Sequence, residues 1–382
     1  MAKKKILVVQ MSLHTGGTTS SLKALMQTSF SKENDIDILA ICNNENNKDS
    51  ILKQYIVNSD NIAQLWYSST SQATRMQKLA MLPFKIIKRI PIISDKINIA
   101  IAKHIARKAE KREHYDTVIA YSEYMTPDIV QHFKTPNKIA WIHCDYGNRI
   151  TREEEHIFNK FNTIVCVSDY TCNSFIKRYP SLKNKVTSIY NICSIDSIKA
   201  KSKEDINDNQ FDTSVFTIIS IGRIATVKRF HKIPEIAKRL KDTGCTFKWY
   251  IMGGGSAEDT DKIKTAIESN GVSGEVIMLG ARSNPYPYIK RANLLVSTSE
   301  SEACPMIFNE AKILGIPIVS SNFGSSYEFI KQGTDGYITS IEEMHKVIEK
   351  LITDKTEYSK LAPVADKELL EETIIAKINN II

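Results

Sequence analysis

Residues 294–320 read LLVSTSESEACPMIFNEAKILGIPIVS, and this stretch decides the expected fold. Its apolar start is typical of a buried strand, its middle of a loop that leads into a helix, and Gly315-Ile316-Pro317 ends that helix. A second apolar run, Ile318-Val319-Ser320, follows at once. Strand, helix and strand in this order predict a parallel sheet, and the loop then lies at its carboxyl end, where open α/β sheets bind ligands.

Two glutamates, Glu302 and Glu310, frame this loop and the start of the helix. A helix start offers free backbone N–H groups and the positive end of the helix dipole, which suit an anion such as a diphosphate. The two carboxylates can accept hydrogen bonds from different hydroxyl groups of one extended ligand. Hydroxyl groups together with a diphosphate describe a nucleotide sugar.

A second segment carries cations directly after another predicted strand. The predicted strand Ile219-Ser220-Ile221 runs into Gly222-Arg223, and Lys228 follows. Arginine presents a planar fork to phosphate oxygens and lysine a mobile point charge, so the pair can stabilise a departing diphosphate. The alternative interpretation is two surface cations on a helix-forming segment.

Together these segments resemble the donor-binding signature of retaining glycosyltransferase family 4, of the bacterial surface-polysaccharide type. The resemblance rests on Glu302 and Glu310 at their spacing and on Gly222-Arg223 with Lys228, and it extends from Gly16-Gly17 to Tyr327-Glu328. It implies the α/β fold called GT-B, in which two Rossmann-like domains with parallel sheets face each other across a cleft.

The resemblance also implies roles for single residues. Arg223 and Lys228 would neutralise the leaving diphosphate, Glu302 would contact the donor sugar, Glu310 would hold the ribose, and His143 would lie near the sugar. The catalytic candidates are therefore Arg223, Lys228, Glu302 and His143. The donor-binding candidates are Gly16, Gly17, Gly222, Gly253, Arg282, Cys304, Pro305, Met306, Ile307 and Glu310. Ala303-Cys304 replaces the family's usual Gly-Phe or Phe-Gly, a change that bears on the choice of sugar.

The expected activity is retaining transfer of a sugar from a nucleoside diphosphate sugar, with UDP-sugar favoured, to a saccharide or lipid-linked saccharide. No cofactor or metal is expected, because basic groups serve the diphosphate and the triplets Asp35-Ile36-Asp37 and Asp259-Thr260-Asp261 fit structural roles. A catalytically silent nucleotide-sugar-binding subunit remains an alternative. An NAD-linked oxidoreductase is disfavoured because Glu258 stands where the glycine fingerprint needs glycine.

The chain of 382 residues fits two domains. We expect an N-terminal Rossmann-like domain at 1–200 that binds the acceptor, a C-terminal Rossmann-like domain at 201–362 that binds the nucleotide sugar, and a final helix at 363–382 that crosses back to the first domain. The polar segment 194–214 is the expected linker between the domains.

Positive charge is concentrated in residues 71–112, which carry 11 basic residues against Asp95 and Glu110. Because apolar groups alternate with these charges, the stretch 75–112 can lie on an anionic membrane surface; a helix with a solvated basic face is the alternative. Nucleic acid is not expected, since the stretch lacks interleaved aromatic residues. Seven scattered cysteines without a C-x-x-C pair, and no signal-peptide pattern, indicate a cytoplasmic protein, peripheral on the inner face of the membrane if the basic stretch binds lipid.

Overall fold

The structure is a computed structural model that describes residues 3–13, 16–42, 50–57, 91–123, 125–146, 153–206, 208, 210–366 and 370–382, and every structural statement below concerns these residues. Residues 75–90 of the basic stretch, with Lys85, Lys88 and Arg89, lie outside them. The chain forms two compact units, Met1–Ile192 together with Glu371–Ile382, and Cys193–Leu370.

The first unit is built on a seven-stranded parallel sheet with strand order β3-β2-β1-β4-β5-β6-β7. Apolar runs with two buried faces produce these strands, and helices follow them in the sequence, as parallel sheets require. The strands are β1 Lys5–Gln10, β2 Asp35–Ala40, β3 Ile56–Val57, β4 Thr117–Ala120, β5 Asn137–Ile142, β6 Thr163–Cys166 and β7 Val186–Ser188. The helices are α1 Gly17–Met26, α2 Ser29–Glu33, α3 Ser50–Lys53, α4 Pro91–Arg112, α5 Met125–Val130, α6 Glu155–Phe158 and α7 Asp169–Arg178, followed by a 3₁₀ turn at Pro180–Lys185.

The second unit has a six-stranded parallel sheet with order β10-β9-β8-β11-β12-β13. Its strands are β8 Phe216–Ile221, β9 Phe247–Met252, β10 Val276–Gly280, β11 Leu294–Ser297, β12 Ile318–Ser321 and β13 Gly336–Thr339. Its helices are α8 Ile195–Lys201, α9 Ile233–Asp242, α10 Ala257–Ser269, α11 Tyr286–Arg291, α12 Met306–Ile313, α13 Ser326–Phe329, α14 Met344–Thr353 and α15 Lys355–Ser359, with 3₁₀ turns at Thr226–Lys228 and Phe230–Lys232. The predicted α/β class with two parallel sheets is confirmed.

The polar segment 194–214, the expected linker, is partly helical. It contains α8, whose Ile198 is buried, and the division between the units falls at Ile192 and Cys193. Ile195 and Ile198 are three positions apart and therefore lie on one face of a helix. The polar composition of the whole segment hides this apolar pair.

The final helix α16, Glu371–Asn379, belongs to the first unit. Ile374, Ile375 and Ile378 are its buried residues. The Asn137 amide donates to the carbonyl of Ile381 at 2.8 Å, so the tail is joined to the amino end of β5.

Candidate nucleotide-sugar site

Three neighbouring strands of the second unit bring their carboxyl ends to one edge. β11 pairs with β8 on one side, with Leu295 opposite Ile219, and with β12 on the other, with Leu295 opposite Ile318. The loops that follow β8, β11 and β12 therefore start beside one another. These loops carry Arg223, Lys228 and Glu302 among the candidates.

Arg229 fastens the loop after β8 to the loop after β11. Its Nε donates to the carbonyl of Thr298 and its Nη2 to the carbonyl of Ser299, each at 2.9 Å. In return the Thr298 hydroxyl donates to the carbonyl of Lys228 at 2.7 Å. Arg229 has φ 49, so its backbone turns back sharply at the point of attachment. Arg229 is not among the predicted site residues, because its position in the sequence gives no signal of this role.

Lys228 and Glu302 meet where the two loops join. The Lys228 ammonium donates to Glu302 Oε1, and the Ser299 hydroxyl donates to the same oxygen at 2.6 Å. The side chains of Lys228 and Glu302 are 21% and 16% exposed, so the ion pair is largely shielded from water. The structure thus brings together two of the predicted catalytic residues.

Gly253 lets the ends of β8 and β9 approach closely. A Cβ at Gly253 would lie 1.8 Å from the carbonyl oxygen of Gly222, so no side chain fits there. Arg223 follows Gly222 in the loop after β8 and is exposed. Among the described residues no side chain pairs with it. Its guanidinium is available to an anion at this edge.

The four candidates Cys304 to Ile307 lie at the start of α12. The helix begins at Met306 after Pro305, and no side chain caps it. Because the first N–H groups of a helix have no intrahelical acceptor, these backbone donors are available to a ligand.

Glu310 lies on α12, where it is half-buried and its hydrogen-bond partner is a neutral group. The Tyr286 hydroxyl is 3.3 Å from Glu310 Oε1, and burial raises the pKa of Glu310 to about 7. The neighbouring Asn309 is buried, and within the described parts of the chain neither polar atom of its amide has a hydrogen-bond partner. Tyr286 and Asn309 were not predicted, since a tyrosine in a proline-flanked turn and an asparagine within a helix carry no motif.

Arg282 is engaged within the unit. Its Nη2 contacts Asp208 Oδ2 at 2.7 Å, and its Nε contacts the Tyr288 hydroxyl at 3.4 Å. Its partners among the described residues are therefore Asp208 and Tyr288, and neither Glu302 nor Glu310 is in contact with it.

The remaining candidates, Gly16, Gly17 and His143, belong to the first unit. α1 begins at Gly17, and a Cβ added at either glycine would meet no atom of the described residues within 4 Å. Burial lowers the pKa of His143 to about 3, so the imidazole is neutral, and its Nε2 has no hydrogen-bond partner among the described residues. The ring lies 4.9 Å from that of Tyr121. A neutral imidazole can bind hydroxyl groups but carries no charge.

The two aspartate triplets have protein partners. Asp35 and Asp37 contact the Lys5 ammonium at 3.0 and 3.3 Å, and the Tyr115 hydroxyl donates to Asp37 at 2.8 Å. Asp259 lies in the first turn of α10, where its backbone N–H donates to the Ser256 hydroxyl.

Residues 201–368, which lie in the second unit, match the family model for glycosyl transferases group 1. The lipopolysaccharide core biosynthesis glycosyltransferase LpsE of Rhizobium meliloti is 24% identical over 267 residues, which cover 68% of this chain and 71% of LpsE. An uncharacterized glycosyltransferase of Methanocaldococcus jannaschii is 28% identical over 169 residues, or 43% of this chain. The match spans 41% of that archaeal relative's length.

Solved structures match the whole chain. HepE of Anabaena in complex with UDP-glucose superposes with a TM-score of 0.74 at 16% identity and covers 99% of this chain and 98% of HepE. TarM of Staphylococcus aureus gives 0.71 at 17% identity and covers 100% and 99%. The fold is therefore GT-B, and the predicted fold class is confirmed.

The raised pKa of Glu310 predicts a pH dependence of stability. Between pH 4.5, the ordinary value, and about 7, the folded protein binds more protons at this carboxyl than the unfolded chain does. The free energy of unfolding therefore falls as pH rises through this range, by up to about 3 kcal/mol. Glu310→Gln removes this loss and should be more stable than wild type at pH 8.

Urea unfolding at pH 5 and pH 8 measures the effect, with the exposed Glu300→Gln as the matched control. If the free energy of unfolding falls equally for Glu310→Gln and wild type between the two pH values, the pKa of Glu310 is not raised by the fold.

Proposed function

We propose that this protein is a glycosyltransferase that moves a sugar from a nucleoside diphosphate sugar to a saccharide or lipid-linked saccharide, with retention of anomeric configuration and without a metal. The observation that carries the proposal is the joined pair of loops that holds Lys228 against Glu302, beside an uncapped helix start. One cation, one carboxylate and a row of backbone donors suit the diphosphate and the sugar of such a donor.

Donor binding would exchange the partners of the ion pair. A diphosphate carries more negative charge than a carboxylate, so the Lys228 ammonium would turn to it, together with the exposed Arg223 guanidinium. Glu302 would then be free to accept hydrogen bonds from hydroxyl groups of the sugar. The Ser299 hydroxyl, which donates to Glu302 Oε1 at 2.6 Å, would keep the carboxylate in position during the exchange.

Glu310 would receive the ribose. Two adjacent ribose hydroxyls can donate to the two oxygens of one carboxylate. They would supply hydrogen bonds that the half-buried carboxylate lacks, because Tyr286 is the one side-chain donor found near it among the described residues. Binding would therefore relieve part of the cost of ionising Glu310 at neutral pH.

Every bond and proton of the transfer step is accounted for without a protein base. The bond from the anomeric carbon to the diphosphate oxygen breaks, and the acceptor oxygen bonds to the same carbon on the same face. The acceptor proton passes to the departing phosphate oxygen, whose charge Arg223 and Lys228 neutralise. The bound UDP and UDP-glucose of HepE support a UDP-sugar, and the name of LpsE supports an acceptor in surface-polysaccharide synthesis.

The first test is thermal stability against UDP, GDP, dTDP, ADP and CMP sugars. A ligand bound by the folded state raises the melting temperature by mass action, and we expect one nucleotide, most simply UDP, to do so. Glu310→Ala should abolish that shift. Release of the nucleoside diphosphate in the presence of saccharides then separates an enzyme from a silent binding subunit, and absence of any shift with every donor contradicts the proposal.

Lys228→Ala tests the leaving-group role. Loss of one group that stabilises the developing charge costs about 100- to 1,000-fold in kcat at comparable sites, and we expect a loss of that order here. Lys232→Ala is the matched control, because Lys232 lies four residues on and pairs at the surface with Glu235 at 3.6 Å. An unchanged kcat in Lys228→Ala, with the folded fraction verified by urea unfolding, would refute the role.

The outer face of α4 supports a membrane-adjacent acceptor. Ile101, Ala102, Ile105 and Ala106 are buried, while Ile99, Lys103, Arg107 and Lys111 stand four positions apart along an exposed stripe. Such a basic stripe with an exposed isoleucine can adsorb to anionic headgroups. None of the described helices is both long and apolar enough to cross a bilayer.

Replacement of Lys103, Arg107 and Lys111 by glutamine should weaken binding to vesicles of phosphatidylglycerol and phosphatidylcholine roughly 100-fold, at about 1 kcal/mol for each basic residue. The control replaces Lys262, Lys264 and Lys346, whose side chains in the second unit are at least 60% exposed. Equal binding by both variants would show that α4 is an ordinary solvated helix.

A further inference from the structure

Tyr327 is an unusual surface residue. Four large apolar side chains are exposed on the described part of the chain, and Tyr327, at 69% exposure, is the aromatic one among them. It lies on the short helix α13 directly after β12, at the ligand-binding edge of the second sheet. An aromatic ring in that place offers a large apolar face with little conformational freedom to lose.

The backbone beneath this ring is fixed. Ser325, Ser326 and Phe329, its neighbours on α13 and at the start of that helix, are buried, and the Ser326 hydroxyl donates to the carbonyl of Phe323 at 2.6 Å. The Phe323 ring packs 6.1 Å from that of Phe308 on α12. The exposure of Tyr327 is therefore a property of a rigid element rather than of a loose loop.

Hydrogen bonds join the segment that leads into Tyr327 to the loop that carries Glu302. The Ser325 hydroxyl donates to the carbonyl of Glu302 at 2.7 Å, and the Ser321 hydroxyl donates to the carbonyl of Ser299 at 2.5 Å. A second tyrosine, Tyr286, contacts Glu310 instead. In the proposed site Glu302 marks the sugar and Glu310 the ribose, so the turn that carries Tyr327 is attached at the sugar end, whereas Tyr286 lies at the ribose end.

We propose that Tyr327 is the stacking platform for a pyranose ring of the acceptor saccharide, an inference that rests on the proposed function. One face of a pyranose presents C–H groups, which pack on the negative face of an aromatic ring. The acceptor is favoured over the donor sugar because Glu302 and Lys228 are shielded, whereas Tyr327 faces solvent and meets a molecule that arrives from outside. Tyr327 then determines acceptor specificity without touching the reacting diphosphate.

Saturation-transfer NMR tests this with the methyl glycosides of glucose, galactose and N-acetylglucosamine as probes. We expect wild type to bind at least one of them and Tyr327→Ala to bind it about five- to tenfold more weakly. Tyr327→Phe, which keeps the ring, should stay within about twofold of wild type. The matched control is Val364→Ala, a truncation of another apolar side chain of the second unit that is 68% exposed.

The outcomes separate the two proposals. Failure of every nucleotide sugar to raise the melting temperature of wild type defeats the proposed function, whereas the glycoside titration does not depend on it. The inference is overturned if wild type binds no glycoside, or if Tyr327→Ala binds as wild type does. It is also overturned if Tyr327→Ala loses the donor-induced thermal shift, because the ring would then belong to the donor.

Discussion

The candidate site depends on one constraint, the fastening of the loop after β8 to the loop after β11 by the Arg229 guanidinium. Two carbonyl groups that follow β11 accept its hydrogen bonds, and the Thr298 hydroxyl returns one to the carbonyl of Lys228. Since Lys228 and Glu302 come from segments 74 residues apart, their contact exists only while the two loops stay joined. Rigid placement of the charged groups is what electrostatic stabilisation of a leaving group requires.

Much of the fold follows from apolar runs. Eleven of the thirteen strands coincide within two residues at either end with runs that the sequence displays, because both faces of a parallel sheet are buried and the runs are nearly continuous. The two exceptions have physical reasons. β3 has two residues, Ile56–Val57, and β13 begins at Gly336 and holds polar residues, so neither produces a long apolar signal.

The site residues likewise divide into those that the sequence predicts and those that it does not. Glu302, Glu310 and Lys228 carry a signal in the sequence, because their spacing relative to strands and helix starts is regular. Arg229, Tyr286 and Ser325 carry none, since each acts through a contact with a residue at least 23 positions away. Such contacts follow from the pairing of β11 with its two neighbours, which residue types alone do not specify.

Two charged residues on α12, the buried Lys312 and the half-buried Glu310, differ in how their charges are compensated. The Lys312 side chain is fully buried, and its ammonium contacts Asp335 at 3.0 Å and Asp366 at 2.8 Å, so its charge is compensated within the fold. Glu310, two residues earlier, has no cationic partner among the described residues and contacts a neutral hydroxyl, which leaves its ionised form costly. Removal of a partner from a buried ion pair is strongly destabilising, so Lys312 is explained by stability. A half-buried carboxylate without such a partner is not explained by stability, and the proposed ribose, which would donate hydrogen bonds to it, would account for its presence.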